Sequence, residues 1–284
     1  MTFGIHPPAY RLPADAHVGR IRLQVAELAR SLEFYEGKLG FKKLGAKPGR
    51  ATLGAGNVPL IELVERAGAK PVMPRSRLGL FHFAILLPDR THLGRALLHL
   101  HQAGIDLGMA DHLVSEALYL TDPDGLGIEI YADRPRDTWH VDANQLRMAT
   151  DPLDTGSLLR AAGGTVWEGM PAGTVIGHMH LHVGDLERAK QFYHEALGLD
   201  ITLTGYPGAL FLSAGGYHHH LGMNIWAGLR APAPAEDEAQ LLEWELVIPG
   251  ADARRAAIES LRAAGATVGD DGIVADPWGT RVRL

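Results

Sequence analysis

One segment of this chain occurs twice, at residues 27–42 and again at residues 185–200. The first copy reads ELARSLEFYEGKLGFK and the second reads DLERAKQFYHEALGLD, so a Phe-Tyr pair and a Leu-Gly pair recur at matching positions. A repeat of this length indicates a duplicated structural unit. Residues that differ between the copies then show where the two units have diverged in chemistry.

Each copy lies inside a longer pattern of one strand, one helix and further short strands. Residues 18–25 alternate between apolar and polar side chains, which predicts a half-buried strand. The repeat that follows has apolar residues at helical spacing, and Gly40 is a typical helix end. Short strands are predicted near 41–46, 50–54 and 58–65. The first unit is therefore a βαβββ module.

The same order can be traced four times along the chain. The later modules begin at predicted strands 80–88, 176–183 and 243–249, and each strand precedes a helix that ends near a glycine. The second and fourth modules share an Asp-Pro-X-Gly turn, at residues 122–125 and 276–279. The sequence thus predicts an α+β fold of four βαβββ modules, whose curled mixed sheets form two cups.

The modules predict two domains that follow each other along the chain. We expect residues 1–133 to hold the N-terminal pair of modules and residues 176–284 to hold the C-terminal pair. Residues 134–175 contain several prolines and glycines with little alternation, so they are predicted to form a linker with one short helix at 155–162. A chain of 284 residues suits two domains of ordinary size.

Composition narrows the classes of function. The chain has no cysteine, which excludes disulfides, thiolate metal sites and a cysteine nucleophile, whereas its 15 histidines remain as candidate metal ligands. A net charge of −6 without a basic stretch argues against a nucleic-acid partner. The sequence lacks an apolar run of about 18 residues and the layout of a signal peptide. We therefore expect a cytoplasmic protein that binds a small molecule and no membrane.

Polar side chains recur on the inner faces of the predicted strands. One face of each strand must pack against a helix, so the opposite face lines the concave side of the curled sheet. At matching sites of the first strands, the four modules carry Arg20, His82, His178 and Glu243. At matching sites of the last strands, they carry Glu62, Glu129, Asn224 and Arg283. Core packing alone does not require such residues.

This layout resembles the vicinal oxygen chelate superfamily, which includes glyoxalase I, extradiol dioxygenases and the fosfomycin and bleomycin resistance proteins. The resemblance rests on the segments GHMHLHVGDLERAKQFYHEALGL, DPDGLGIEIYADRP and YHHHLGMNIWAG, and it covers nearly the whole chain outside 134–175. It is strongest to the shorter two-domain catechol 2,3-dioxygenases. In that superfamily two modules share a cup that holds a metal, and the dioxygenases use His from one module and His plus Glu from the other.

The resemblance also indicates which modules share a cup. A cup of the first two modules would contain Arg20, whose guanidinium has no lone pair to give to a metal. A cup of the last two modules would be one ligand short. The second and third modules together supply His82, Glu129 and His178, which is the complete ligand set that the resemblance implies. We therefore predict a metal held by these three residues between crosswise paired modules.

The first and fourth modules would then form the other cup. That cup collects Arg20, Glu62, Glu243 and Arg283, two positive and two negative charges that could neutralise one another. The sequence thus predicts one metal site and one cup closed by ion pairs. Taken singly, a histidine of the triad could be an ordinary core residue and its glutamate a surface residue, so the prediction depends on their equivalent positions.

Three further residues are candidates for proton transfer. The histidines at 218–220 cannot all face the metal from one strand, because neighbours alternate between faces. We select His220 as a base or substrate contact, with a fourth metal ligand as the lesser alternative. Tyr119 lies where ring-cleaving relatives often carry a tyrosine near the substrate, and His112 lies one short strand earlier. For Tyr119 and His112 a structural hydrogen bond is an equal alternative.

Two imidazoles and one carboxylate leave about three open positions on an octahedral ion, which is typical of non-haem Fe(II) oxygenases. We therefore predict an oxidoreductase of aromatic catabolism, an extradiol dioxygenase that opens catechol-like vicinal diols with O2 at Fe(II). Mn(II) is an acceptable substitute. Exposed edge strands favour a homo-oligomer.

Two other functions remain open. A glyoxalase-type isomerase or a thiol transferase needs only a Lewis-acid metal, generally with a fourth protein ligand that His220 or Asn224 could supply. A metal-free binding or resistance protein needs no ligand set. Three ligand-capable residues at equivalent positions make this last function the least favoured.

Overall fold

The computed structural model describes residues 3–284, and its first half contains two modules. The first module comprises β1 (His17–Val25), α1 (Leu28–Leu32) with a π-helical continuation (Glu33–Lys38), β2 (Lys42–Lys47), β3 (Arg50–Ala55) and β4 (Val58–Glu65). The second comprises β5 (Gly79–Leu86), α2 (Arg90–Gln102), β6 (Gly108–Asp111), β7 (Ser115–Thr121) and β8 (Gly127–Asp133). The predicted order of elements is confirmed in both modules, and β6 is an additional short strand.

The second half repeats this plan after a connection with little regular structure. The connection holds a 3-10 turn (Arg136–Thr138), β9 (Val141–Asp142), β10 (Gln145–Leu146) and α3 (Thr155–Ala161). The third module comprises β11 (Val175–His182), α4 (Leu186–Lys190) with a π-helical continuation (Gln191–Ala196), β12 (Asp200–Leu203), β13 (Ala209–Ser213) and β14 (Leu221–Asn224). The fourth comprises β15 (Gln240–Val247), α5 (Ala251–Ala263), β16 (Ile273–Ala275) and β17 (Arg281–Arg283). Within residues 3–284, no helix has both the length and the apolar character needed to cross a bilayer.

The strands form two large sheets, and each sheet combines one module from each half of the chain. The eight-stranded sheet has the order β12-β13-β14-β11-β5-β8-β7-β6, which joins the third module to the second. The seven-stranded sheet has the order β16-β17-β15-β1-β4-β3-β2, which joins the fourth module to the first. The two modules of each sheet meet at an antiparallel strand pair, β5 with β11 in the eight-stranded sheet and β1 with β15 in the seven-stranded sheet. The crosswise pairing of modules is therefore confirmed.

The repeated Phe-Tyr pair explains how the two sheets are tied together. Tyr35, on the first module's helix, donates a hydrogen bond to Asp122 Oδ2 of the second module at 3.1 Å. Tyr193, on the third module's helix, donates to Asp276 Oδ2 of the fourth module at 3.0 Å. Each bond joins one module's helix to the turn before the last strand of the next module, and all four residues are buried. Burial raises the pKa of Asp122 to about 7.

Both helices of the repeat end in the same way. The backbone of Gly40 has a φ of +80° and that of Gly198 a φ of +94°, a left-handed conformation that an L side chain rarely adopts. Each glycine follows a leucine that is completely or almost completely buried, Leu39 and Leu197. The Leu-Gly pair of the repeat therefore ends the helix while its leucine packs into the core.

Candidate metal centre and substrate cavity

The residues of the predicted triad lie on three neighbouring strands of the eight-stranded sheet. Ala84 on β5 is in register with Glu129 on β8 and with His178 on β11. His82 lies two residues before Ala84, so its side chain emerges on the same face of β5. The small alanine leaves the space between its two neighbours open. Strand periodicity and register together thus bring the three side chains to one point.

The ligand atoms of this triad are close to one another and shielded from water. His82 Nε2 lies 3.0 Å from Glu129 Oε2, and His178 Nε2 lies 3.1 Å from the same oxygen. All three ligand atoms lie within 4.8 Å of one another. Each residue is at most 5% exposed. The triad therefore presents two imidazole nitrogens and one carboxylate oxygen to a common centre.

This arrangement fits a divalent metal ion. Ligand atoms at right angles around an ion about 2.1 Å away would lie about 3.0 Å apart, close to the distances that separate these nitrogens from the carboxylate oxygen. His82 Nε2 is buried, and although it lies 3.0 Å from Glu129 Oε2, it makes no well-aligned hydrogen bond to any residue of 3–284. A buried polar atom without a partner is costly. A metal ion would satisfy that lone pair.

The electrostatics of the triad favour the forms that bind metals. Burial alone would raise the pKa of Glu129, but His178 and His82 outweigh it through charge and hydrogen bonding and hold that pKa well below its ordinary value. Burial lowers the pKa of His178 to about 4. At neutral pH the site therefore presents a carboxylate and an uncharged His178 imidazole, and metals require deprotonated ligands.

A cavity of about 490 Å³ opens onto two triad members, His82 and Glu129. Its other walls are mainly aromatic and histidine side chains, with one cation and a short stretch of the connection between the halves: Arg75, Phe81, His112, Tyr119, Met148, Ala149, Thr150, His180, Tyr206, Phe211, His219 and Trp226. Pockets of this size and character hold small organic molecules. The predicted residues Tyr119 and His112 thus lie beside the triad.

Tyr119 and His112 are joined by a short hydrogen bond. His112 Nδ1 lies 2.6 Å from the carbonyl oxygen of Ala149, and its Nε2 lies 2.6 Å from the Tyr119 hydroxyl. A carbonyl oxygen only accepts, so Nδ1 carries the hydrogen, and in a neutral ring Nε2 accepts from Tyr119. Burial and the charge of Glu129 raise the pKa of Tyr119 well above its ordinary value. Tyr119 is therefore a protonated hydroxyl in the cavity wall.

His220 does not face the cavity, so its selection from the histidine run is corrected. Its Nδ1 lies 3.1 Å from Ser213 Oγ and accepts a hydrogen bond from the backbone N–H of Ala214. The cavity is lined instead by His219, whose ring centroid lies 4.1 Å from that of His178. The prediction assumed a strand over 218–226, but β14 begins only at Leu221. Strict alternation of faces therefore does not apply to the three histidines.

Asn224 also lies outside the cavity walls. Its Oδ1 is 2.6 Å from His182 Nδ1, and its Nδ2 donates to His180 Nε2 at 2.9 Å. Neither of the proposed fourth ligands, His220 and Asn224, thus reaches the cavity. Trp226 lies in the cavity wall beside His180.

Comparison with known proteins identifies the family of this chain. The family model described as the Glyoxalase/Bleomycin resistance protein/Dioxygenase superfamily matches residues 17–130 and 175–284. The chain belongs to this superfamily. A protein of Bacillus subtilis (strain 168) named catechol-2,3-dioxygenase is 48% identical over 239 residues, which cover 83% of this chain and 84% of that protein.

Solved structures of the superfamily fold are also similar. A candidate dioxygenase from Bacillus subtilis subsp. subtilis str. 168 matches with a TM-score of 0.65 at 14% identity, covering 96% of this chain and 85% of that one. A glyoxalase I mutant from Zea mays matches with a TM-score of 0.54 at 17% identity, covering 94% and 91%. At these identities the structures show the shared fold and nothing finer.

The other cup of this superfamily member contains ion pairs, and one predicted residue there is corrected. Arg22, not Arg20, donates from Nε to Glu62 Oε2 at 2.9 Å and lies 3.8 Å from Glu243 Oε2. Arg283 Nε donates to Glu243 Oε1 at 2.7 Å. A register shift between Val18 and Ile21 places Arg22 opposite Glu243, and Arg20 is exposed. The predicted charge pairing is therefore confirmed, with Arg22 in the role that was predicted for Arg20.

Proposed function

We propose that this chain is an extradiol dioxygenase that opens the ring of a catechol-like vicinal diol with O2. In this proposal His82, Glu129 and His178 hold Fe(II), with Mn(II) as an acceptable substitute. The observation that carries the proposal is the buried face of two imidazoles and one carboxylate beside an aromatic cavity. The identity of 48% to a protein named catechol-2,3-dioxygenase supports the same function.

The residues of the triad suit this role in their protonation states. An ionised Glu129 and a neutral His178 offer lone pairs without first losing protons. When bound, a redox-active ion supplies adjacent open positions and charge transfer between an electron-rich diol and oxygen. The reaction inserts both oxygen atoms into the product, so no external reductant is consumed.

The cavity walls suit a planar ring. Phe81 lies edge-on to Trp226, with ring centroids 5.6 Å apart, and Phe211 lies edge-on to His180 at 5.8 Å. Aromatic side chains bury a flat apolar ligand well and fix its orientation by stacking or edge contacts. A diol pressed against these walls would present its two oxygens toward the triad. The aromatic lining therefore supports a single-ring diol as the substrate class.

Proton transfer is assigned to two opposite groups of residues. His219 replaces His220 as the base that takes a proton from the diol, because His219 is the one histidine of the run 218–220 that lines the cavity. Tyr119 donates its one hydroxyl hydrogen to His112 Nε2 at 2.6 Å, and it can donate to a developing oxygen charge once His112 carries a hydrogen on Nε2 and donates to the tyrosine oxygen instead. The roles are therefore distinct, since His219 accepts a proton and Tyr119 donates a hydrogen bond.

A glyoxalase-type isomerase is the second candidate, and one observation favours it. The ligand atoms of His178, His218 and His219 also lie within 4.8 Å of one another. His219 could therefore act as a fourth protein ligand, which would suit Lewis-acid chemistry better than oxygen activation. A metal-free binding function has no comparable support from the described residues.

Oxygen consumption separates these functions. The protein is loaded anaerobically with Fe(II), mixed with catechol and then exposed to O2. We expect about one O2 consumed per diol and a yellow ring-opened product, whereas the Zn(II)-loaded protein should consume none because Zn(II) has no redox chemistry. Absence of O2 uptake with a panel of catechols, together with isomerase activity of the Zn(II) form, would overturn the proposal.

A further inference from the structure

A chain of hydrogen bonds runs from the cavity wall to a carboxylate outside it. His219 Nδ1 lies 2.7 Å from His218 Nδ1, and His218 Nε2 lies 3.0 Å from Asp133 Oδ1. His218 is completely buried and His219 is 8% exposed. Two imidazole nitrogens at 2.7 Å must share one hydrogen, since two lone pairs or two N–H groups would repel each other. The direction of this chain therefore determines which nitrogen of His219 carries its hydrogen.

The carboxylate fixes that direction. An ionised Asp133 only accepts, so His218 must carry its hydrogen on Nε2. If His218 carries only this one hydrogen, its Nδ1 offers a lone pair, and the hydrogen between the two rings then belongs to His219 Nδ1. His219 Nε2 makes no hydrogen bond to any residue between 3 and 284, and it is not enclosed. The chain thus leaves an available lone pair on His219 Nε2.

We propose that Asp133 and His218 are positioning residues that hold His219 in the tautomer with hydrogen on Nδ1. This inference rests on the proposed function, in which His219 takes a proton from the diol. The diol O–H bond breaks, the hydrogen joins His219 Nε2, and the electron pair stays on the diol oxygen. The positive ring that results keeps its Nδ1–H bond to His218, whose other nitrogen donates to Asp133. A carboxylate at the end of such a chain stabilises this charge.

The same carboxylate makes a second bond that provides a matched control. The Tyr217 hydroxyl donates to Asp133 Oδ1 at 3.1 Å and lies 2.7 Å from the Tyr131 hydroxyl. Tyr217→Phe removes this bond and leaves the chain from Asp133 through His218 to His219. A purely structural role of Asp133 would respond to the loss of either bond. A positioning role would respond only when the histidine chain is changed.

The informative variant is Asp133→Asn, because an amide can reverse the direction of the hydrogen bonds from residue 133 to His219. Its N–H can donate to His218 Nε2, which moves the hydrogen of His218 to Nδ1 and that of His219 to Nε2. We expect kcat of the Fe(II) enzyme to fall about 10²- to 10⁴-fold, while KM changes less than about threefold. Tyr217→Phe should keep kcat within about threefold of the original, and metal content should be unchanged in both variants.

Nitrogen NMR of the Zn(II)-loaded protein measures the tautomer without reference to activity. Histidine labelled with ¹⁵N shows which ring nitrogen carries hydrogen, and His219→Gln assigns the signal. We expect hydrogen on Nδ1 of His219 in the original protein and in Tyr217→Phe, and on Nε2 in Asp133→Asn. Hydrogen on Nε2 in the original protein, an unchanged tautomer in Asp133→Asn, or a direct bond from His219 to the metal would overturn the proposal.

The two measurements separate this inference from the proposed function. The expected tautomers in a protein that consumes no O2 would support the positioning role of Asp133 and His218 and refute the dioxygenase. An active dioxygenase whose tautomer does not respond to Asp133→Asn would support the proposed function and refute the positioning role.

Discussion

The two cups have the same strand plan and opposite contents. In the eight-stranded sheet, two imidazoles and one carboxylate converge, and no Lys or Arg of residues 3–284 forms an ion pair with the triad. In the seven-stranded sheet, Arg22 bridges Glu62 and Glu243, and Arg283 binds Glu243 from the other side. By register, Arg22 lies where the eight-stranded sheet has Ala84, and Glu243 lies where that sheet has His178. The same fold therefore holds either a ligand set or ion pairs.

The difference lies in which atoms can donate a lone pair. A histidine nitrogen can bind a metal, whereas a guanidinium stays charged and only donates hydrogen bonds. The carboxylates of the seven-stranded cup are consequently neutralised by protein side chains. Within residues 3–284, the ion-pair partners of Glu129 are His82 and His178, so a divalent cation can bind between the carboxylate and these two imidazoles.

The largest effect is expected from isosteric changes of one carboxylate in each cup. Glu129→Gln should lower Fe(II) content of the reconstituted protein by at least about tenfold, because an amide oxygen is a weaker ligand than a carboxylate. Glu62→Gln, in the other cup, should leave metal content unchanged. The iron content of both variants is measured after anaerobic gel filtration. Equal loss from both variants would contradict the assignment of one metal cup.

The free energy of unfolding is expected to depend on pH through Asp122, which accepts one of the two tyrosine hydrogen bonds between the sheets. Burial raises the pKa of Asp122 to about 7, so the folded protein retains a proton that the unfolded chain has released. This proton stabilises the fold fully below the ordinary pKa of an aspartate, and the stabilisation is lost as pH rises through about 7. The loss amounts to about 3 kcal/mol between pH 5 and 8. Asp122→Asn should flatten that slope in urea unfolding, and an unchanged slope would count against it.

A stability effect is expected from the closed cup. Glu243→Gln removes the negative charge that pairs with Arg22 and Arg283 and places an NH2 donor next to a guanidinium, so the free energy of unfolding should fall by about 1–3 kcal/mol. Both arginines are partly exposed, which moderates the loss. Urea unfolding measures the change, and iron content should be that of the original protein. A variant that loses iron as well would show that the two cups are coupled.

The smallest effects are expected at the duplicated tyrosines. Tyr35→Phe leaves the buried Asp122 without its side-chain donor, and Tyr193→Phe does the same to Asp276. Each change should lower the free energy of unfolding by about 1–2 kcal/mol, and we expect similar losses from the two. Thermal or urea unfolding of both variants tests this. A large difference would show that only one tie supports the contact between the sheets.

Much of this comparison can be predicted from the sequence, because register follows from repeated patterns. The module order came from matching strands, whereas the crosswise pairing and the closeness of His82, Glu129 and His178 followed from the ligand set that the family resemblance implies. Their role as metal ligands stays a prediction. The two face assignments that were wrong, Arg20 and His220, share one cause. A register shift in β1 and a late start of β14 break the alternation that the sequence assumed.

The cavity walls were beyond prediction for a different reason. Met148, Ala149 and Thr150 reach the cavity from the connection between the halves, whose path depends on tertiary contacts and not on local periodicity. The hydrogen bond from His112 to Ala149 shows this dependence, since it links a predicted residue to an irregular segment. A strand pattern contains no information about such partners. Walls contributed by the connection between the halves therefore cannot be predicted from strand patterns.

Anomalous X-ray diffraction at the iron edge tests the central claim most directly. A crystal of protein loaded anaerobically with Fe(II) would locate the iron within each chain. We expect one peak per chain, bound by His82, Glu129 and His178. A peak bound by Glu62 or Glu243, or equal peaks in both cups, would contradict it.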